Sequence, residues 1–69
     1  MEEIVLRDEF IKLGQALKAA GLVDSGVEAK IVITEGKVKV NGVVEIQRGK
    51  KLYDGDIISF DGEEVKIIK

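Results

Sequence analysis

The side chains with the clearest chemical potential in this sequence are cationic. Between residues 12 and 53 stand eight bases, Lys12, Lys18, Lys30, Lys37, Lys39, Arg48, Lys50 and Lys51, against four acids. Residues 1–11 carry one base and four acids, and residues 54–69 carry two bases and five acids. The formal net charge of −2 therefore hides a basic middle of +4 between two acidic ends of −3 each. A polyanion responds to the local field of such a segment more than to the total. Lys and Arg are the side chains that hold phosphate, and Gln15, Ser25 and Asn41 could add hydrogen bonds to a backbone or a base edge. The same composition also fits the solvated surface of a small domain.

Catalysis finds little support. The chain has no His and no Cys, so Ser25, Thr34, Tyr53 and Ser59 lack the usual base that activates a nucleophile. Asp54 and Asp56 flank Gly55 and read as turn formers rather than as an acid–base pair. Gly26-Val27-Glu28 and Gly62-Glu63-Glu64 put acid where a triphosphate would sit, so neither is a phosphate loop. No catalytic residue, metal-ligand set, cofactor or small-molecule substrate is expected. The N-terminus is acidic where a secretion signal would be basic, and no apolar run approaches membrane length, so the expected setting is cytoplasmic.

Positioning these residues falls to a short chain. Sixty-nine residues make one domain, 1–69, near the lower size limit for folding without staples. Neither disulfide nor zinc is on offer, so the 45% hydrophobic content must supply the core. Residues 3–6 could be a first strand. Phe10, Leu13, Leu17 and Ala20 recur at helical spacing. The Glu-Phe-Ile run before Lys12 favours a helix that starts only near Lys12, and Gly21 would end it as a left-handed cap. Ser25-Gly26-Val27-Glu28 reads as a capping box, with the Ser hydroxyl on the Glu28 amide and the Glu carboxylate on the Ser25 amide. The helix it opens would run to Gly36. Ile31-Val32-Ile33-Thr34 is β-branched throughout and argues instead for a hairpin, but the two end signals outweigh it.

Val38 and Val40 then alternate with Lys37 and Lys39, which makes one strand face apolar and the other cationic. Asn41-Gly42 and Asp61-Gly62 each supply the two left-handed residues of a type I′ hairpin turn. The first turn would pair Lys39 with Val44, so partial burial of Val44 and Ile46, or a bulge, is expected on the lysine face. Residues 47–51 read as a basic loop of low structure. Ile58, Phe60, Val65 and Ile67 would share a face and roof the helices. The expected fold is α+β, two helices packed on a small, mainly antiparallel twisted sheet. Of three aromatics, Phe10 and Phe60 fit core positions. A stacking platform for single strands is therefore not expected, and shape recognition of a folded RNA is.

The order Lys12-Leu13-Gly14-Gln15-Ala16-Leu17, Gly21-Leu22-Val23, Ser25-Gly26, Ala29, Ile33, Gly36-Lys37-Val38-Lys39-Val40-Asn41-Gly42 and Gly55-Asp56-Ile57-Ile58 resembles the RNA-binding domain of ribosomal protein S-four, the alpha-L RNA-binding motif. The resemblance spans about residues 10–60 and is nearest to the small stand-alone bacterial members, which also share the Arg48-Gly49-Lys50-Lys51-Leu52 stretch. It implies a non-catalytic module whose two helices and adjoining strand grip structured RNA, ribosomal or transfer RNA. The common pattern has Arg-Leu-Asp where this chain has Lys12-Leu13-Gly14, and Ser-Arg where it has Ser25-Gly26. Losing that Arg removes a bidentate phosphate fork, which shifts the contact onto Lys12, Lys30 and the 48–51 loop. Two readings compete. A ubiquitin-like β-grasp carrier shares the Asn-Gly hairpin and the late Gly-Asp strand, but this chain ends Val65-Lys66-Ile67-Ile68-Lys69 without the Gly-Gly tail. A protein-interaction module could use the acidic ends. Two consecutive helices ahead of the Asn-Gly turn would favour the RNA-binding fold.

Overall fold

The computed structural model describes all residues 1–69 and orders them as β1 (Glu2–Val5), β2 (Ile11–Lys12), α1 (Leu13–Ala19), α2 (Gly26–Thr34), β3 (Val38–Val40), β4 (Val43–Val44), β5 (Lys51–Leu52), β6 (Ile57–Phe60) and β7 (Glu63–Ile68). The main sheet runs β1-β7-β6-β3-β4, and β2 and β5 form a separate two-stranded ladder. Only β1 against β7 is parallel; the other pairs are antiparallel. The fold is thus α+β, with both helices ahead of the Asn41-Gly42 turn, the order expected to favour the RNA-binding fold over a β-grasp carrier.

Local signals account for the helices. At the start of α2 the Ser25 hydroxyl accepts from the Glu28 amide at 3.1 Å, while the Glu28 carboxylate accepts from Asp24 N–H at 2.9 Å, one residue upstream of the expected Ser25 amide. The Glu28 amide is capped and the Glu28 carboxylate pins the residue just ahead of the cap, so this helix start outweighs the β-branched run at 31–34. Each helix ends in a Schellman motif. Leu22 N–H bonds Leu17 C=O and Gly21 N–H bonds Lys18 C=O, and the same pattern recurs with Lys37 on Val32 and Gly36 on Ile33. Gly21 and Gly36 take φ of 74° and 77° there, which costs a glycine little.

Both predicted type I′ turns form, with φ of 52° and 82° at Asn41-Gly42 and 53° and 80° at Asp61-Gly62. They set the registers Val40 opposite Val43 and Ile58 opposite Val65. Ile58, Val65 and Ile67 are fully or almost fully buried, and Phe60 packs against them half-buried. They meet Leu13, Ala16 and Leu17 of α1, Ala29, Val32 and Ile33 of α2, and Val38 and Val40 of β3 in one aliphatic core with no buried polar side chain. Truncating Leu13 or Leu17 to Ala would cost about 2–5 kcal/mol, a large share of the total stability of so small a domain.

Two expectations fail. Val44 and Ile46 are not partly buried and no bulge forms: they are 48% and 60% exposed, and Glu45 N–H continues a regular ladder onto Val38 C=O. β4 is an edge strand on the far side of β3 from the helices' cover, so nothing packs on that face. Phe10 lies outside the core. It precedes β2 and alternates with the inward-packing Ile11, so it faces outward and meets Tyr53, ring centroids 6.1 Å apart. The stripe from Phe10 to Leu13 was a coincidence of spacing across a strand-to-helix boundary. No helix is long and apolar enough to cross a membrane.

Candidate nucleic-acid interface

The start of α1 has no side-chain cap; the 47–50 loop caps it with main chain instead. Leu13 N–H donates to Lys50 C=O at 2.8 Å and Gly14 N–H to Arg48 C=O at 3.0 Å. The β2–β5 ladder continues this contact, pairing Lys12 with Lys51 and Ile11 with Leu52. Leu52 is fully buried, which anchors the basic loop to the core. Gly14 permits the fit: a Cβ there would stand 3.1 Å from Arg48 Cγ.

A groove of about 510 Å³ results, between α1, the first turn of α2 and the loop. Gly14, Ala19, Gly26 and Ala29 give it a floor of small residues, and Lys12, Gln15, Lys18 and Arg48 stand around it. Lys12, Gln15 and Ala19 fall three and four residues apart, which puts them on one face of α1. No carboxylate lines the groove. The only ion pairs in the chain are Lys37 with Glu35 at 3.2 Å and Lys69 with Glu9 at 3.7 Å. The three cations of the groove therefore face one another without counter-charge, an arrangement that a polyanion relieves.

The other sequence-predicted residues distribute as follows. Lys30 is exposed one turn beyond Gly26 on α2, outside the groove lining. Ser25 adjoins Gly26, with its hydroxyl engaged as the helix cap. Lys50 and Lys51 border a second depression of about 470 Å³ with Asn41 and Tyr53. Asn41 ties two turns together: its Oδ1 accepts from Ile57 N–H at 2.9 Å and its Nδ2 donates to Asp56 Oδ1 at 3.0 Å. Lys37 carries the ion pair with Glu35. Lys39 alternates with the buried Val38 and Val40 and so projects from the sheet face opposite the helices, between Val44 and Ser59. The structure thus gathers Lys12, Gln15, Lys18 and Arg48 and leaves Lys37 and Lys39 apart.

Asp56 serves as the expected turn former, while the Asp54 side chain instead ties the turn to the end of the chain. Asp56 Oδ2 accepts from Tyr53 N–H at 2.8 Å, and Asp54 Oδ1 accepts from Lys69 N–H at 2.9 Å. Sequence reasoning missed the outward pair of Phe10 and Tyr53, with the Lys51 ammonium 4.8 Å from the Phe10 ring centroid. Alternation in Phe10-Ile11-Lys12 and Lys51-Leu52-Tyr53 was the available signal, three residues long in each strand.

Comparison with known proteins places this geometry. A protein of Escherichia coli strain K12 named "Putative RNA-binding protein YbcJ" is 41% identical over 58 residues, 84% of this chain and 83% of that protein. "Probable ribosome maturation protein RlbA" of Bacillus subtilis strain 168 is 42% identical over 59 residues, 86% of this chain and 83% of that one. The solution structure of Escherichia coli YbcJ, described as revealing an alpha-L motif involved in RNA-binding, superposes with a TM-score of 0.77 at 37% identity. That match covers 100% of this chain and 89% of the YbcJ chain. The family model described as S4 domain matches residues 4–68. By the family model, the relatives and the shared fold, the chain belongs to the S4 domain family.

Proposed function

We propose that this chain is a non-catalytic RNA-binding module that grips structured RNA, ribosomal or transfer RNA, in the cytoplasm. The observation that carries the reading is the groove at the α1–α2 junction, where Lys12 of β2, Lys18 of α1 and Arg48 of the 47–50 loop come together with no carboxylate lining it. Their role is to replace condensed counterions on phosphates, while the rigid floor fixes the spacing at which a folded backbone fits. Lys30, exposed on α2, and Lys50 and Lys51, beside the second depression, add further cations outside the groove. A relative named for RNA binding and another named for ribosome maturation support the choice of ligand class.

The test is a fluorescence titration of the purified protein against structured RNA at rising salt. Affinity should fall linearly in log–log form, and Lys12→Gln with Arg48→Gln should flatten the slope by about two ions. Binding that ignores salt, or a slope unchanged in the double variant, would overturn the reading.

A further inference from the structure

We propose that Tyr53, braced by Phe10 and flanked by Lys51, is a stacking seat for one unpaired base, so that the preferred ligand is a paired RNA stem carrying a bulged or dangling nucleotide. The proposal deepens the RNA-binding reading and rests on it.

The β2–β5 ladder carries the argument. Ile11 and Leu52 are cross-strand partners and point into the core. By alternation, Phe10, Lys12, Lys51 and Tyr53 all project from the outer face of that ladder. Phe10 and Tyr53 meet at 6.1 Å with planes tilted by 52°, a contact that braces the tyrosine while the residue stays 47% exposed. The seat is also rigid from behind. Tyr53 N–H is held by Asp56 Oδ2 at 2.8 Å, Tyr53 C=O accepts from Asp56 N–H at 3.0 Å, and Asp56 is itself held by Asn41. A base stacking there meets a surface already ordered before it arrives.

Charge points the same way. Lys12 and Lys51 stand directly opposite each other in an antiparallel pair, where like charges repel, and neither has a carboxylate within 4.0 Å. A phosphate between them removes the repulsion. Lys12 belongs to the groove and Tyr53 lies two residues from Lys51, roughly 7 Å along the strand, so a strand held by its phosphate at Lys12 and Lys51 brings its next base over the ring. The two carboxylates that border the depression beside Tyr53 are already engaged by backbone amides, Glu45 with Gln47 N–H and Asp56 with Tyr53 N–H. A stacked base adds affinity without reading its identity, because every base has a π-face.

The chain holds one tyrosine and no tryptophan, so its tyrosine emission reports on position 53 alone. The probes are a fully paired RNA hairpin and the same hairpin with a single bulged adenosine. The bulged hairpin should bind about tenfold more tightly and quench tyrosine emission more strongly. Tyr53→Ala should abolish the preference while keeping the affinity for the paired hairpin and its salt slope, and Tyr53→Phe should retain the preference. Equal, salt-dependent binding of both hairpins by the parent protein overturns the stacking seat and leaves the RNA-binding reading in place. So does a preference that survives Tyr53→Ala, or an equal loss on both hairpins in that variant. Binding of neither hairpin, or binding of both that is insensitive to salt, overturns the two together.

Discussion

A Cβ built on Gly14 would stand 3.1 Å from Arg48 Cγ, whereas one built on Gly26 meets nothing within 4 Å. The groove accounts for the two glycines differently. At Gly14 the absent side chain lets the Arg48 chain lie against the helix start. Gly14→Asp should push Arg48 aside by a few tenths of an ångström and set a carboxylate next to its guanidinium, lowering RNA affinity about tenfold. An acid in the first turn favours the helix by about 0.3–1 kcal/mol, so the melting temperature should rise, by no more than about 8 °C. Gly26 is open space on the groove floor. Gly26→Arg should raise affinity several-fold and steepen the salt slope by about one ion. The gain in helix propensity, about 1 kcal/mol, is offset by a cation at a helix N-terminus, so thermal melting should be nearly unchanged. Titration at several salt concentrations beside a circular-dichroism melt checks both variants. An unchanged slope in Gly26→Arg would mean that RNA does not reach the floor.

Among the elements, α2 tests whether a residue chosen for binding is in fact structural. The Ser25 hydroxyl is engaged by the Glu28 amide. Ser25→Ala should cost about 1 kcal/mol and lower the melting temperature by about 4–8 °C. Ser25→Asp keeps a capping acceptor and should melt like the parent, yet its carboxylate at the groove rim should weaken RNA binding several-fold. A Ser25→Asp protein that melts as low as Ser25→Ala would remove the capping role. The Ser25 cap, the two glycine helix ends and both type I′ turns were legible in the sequence because each is a contract among residues at most five positions apart. The β2–β5 ladder was not. Its strands are two residues long and about forty positions apart, so no periodicity announces them and residues 47–51 read as a loop. The parallel partner of β1 was hidden for the same reason of distance. The cations proposed for the site could be picked out by residue type, but their grouping could not, since only the ladder brings Arg48 to Lys12 and turns Phe10 outward.

At the scale of the whole molecule the question is whether RNA feels a groove or merely a charged particle. The body measures 28 × 21 × 18 Å, well beyond the screening length of about 8 Å at physiological salt. Lys12 lines the groove on the helix side, while Lys39 projects from the opposite sheet face. The acids of β1 and β7, Glu2, Glu3, Glu63 and Glu64, gather on the sheet's β1–β7 side, away from β3 and β4, and should turn a polyanion toward the groove. Lys12→Glu and Lys39→Glu alter the net charge equally, so only position distinguishes them. At physiological salt Lys12→Glu should cost about tenfold or more in affinity, and Lys39→Glu less than about twofold. At 0.01 M salt the screening length grows to about 30 Å and exceeds the molecule, so the Lys39→Glu loss should grow toward that of Lys12→Glu. Equal losses at physiological salt would show that binding follows total charge, and the groove would then have no special standing among the cations of this chain.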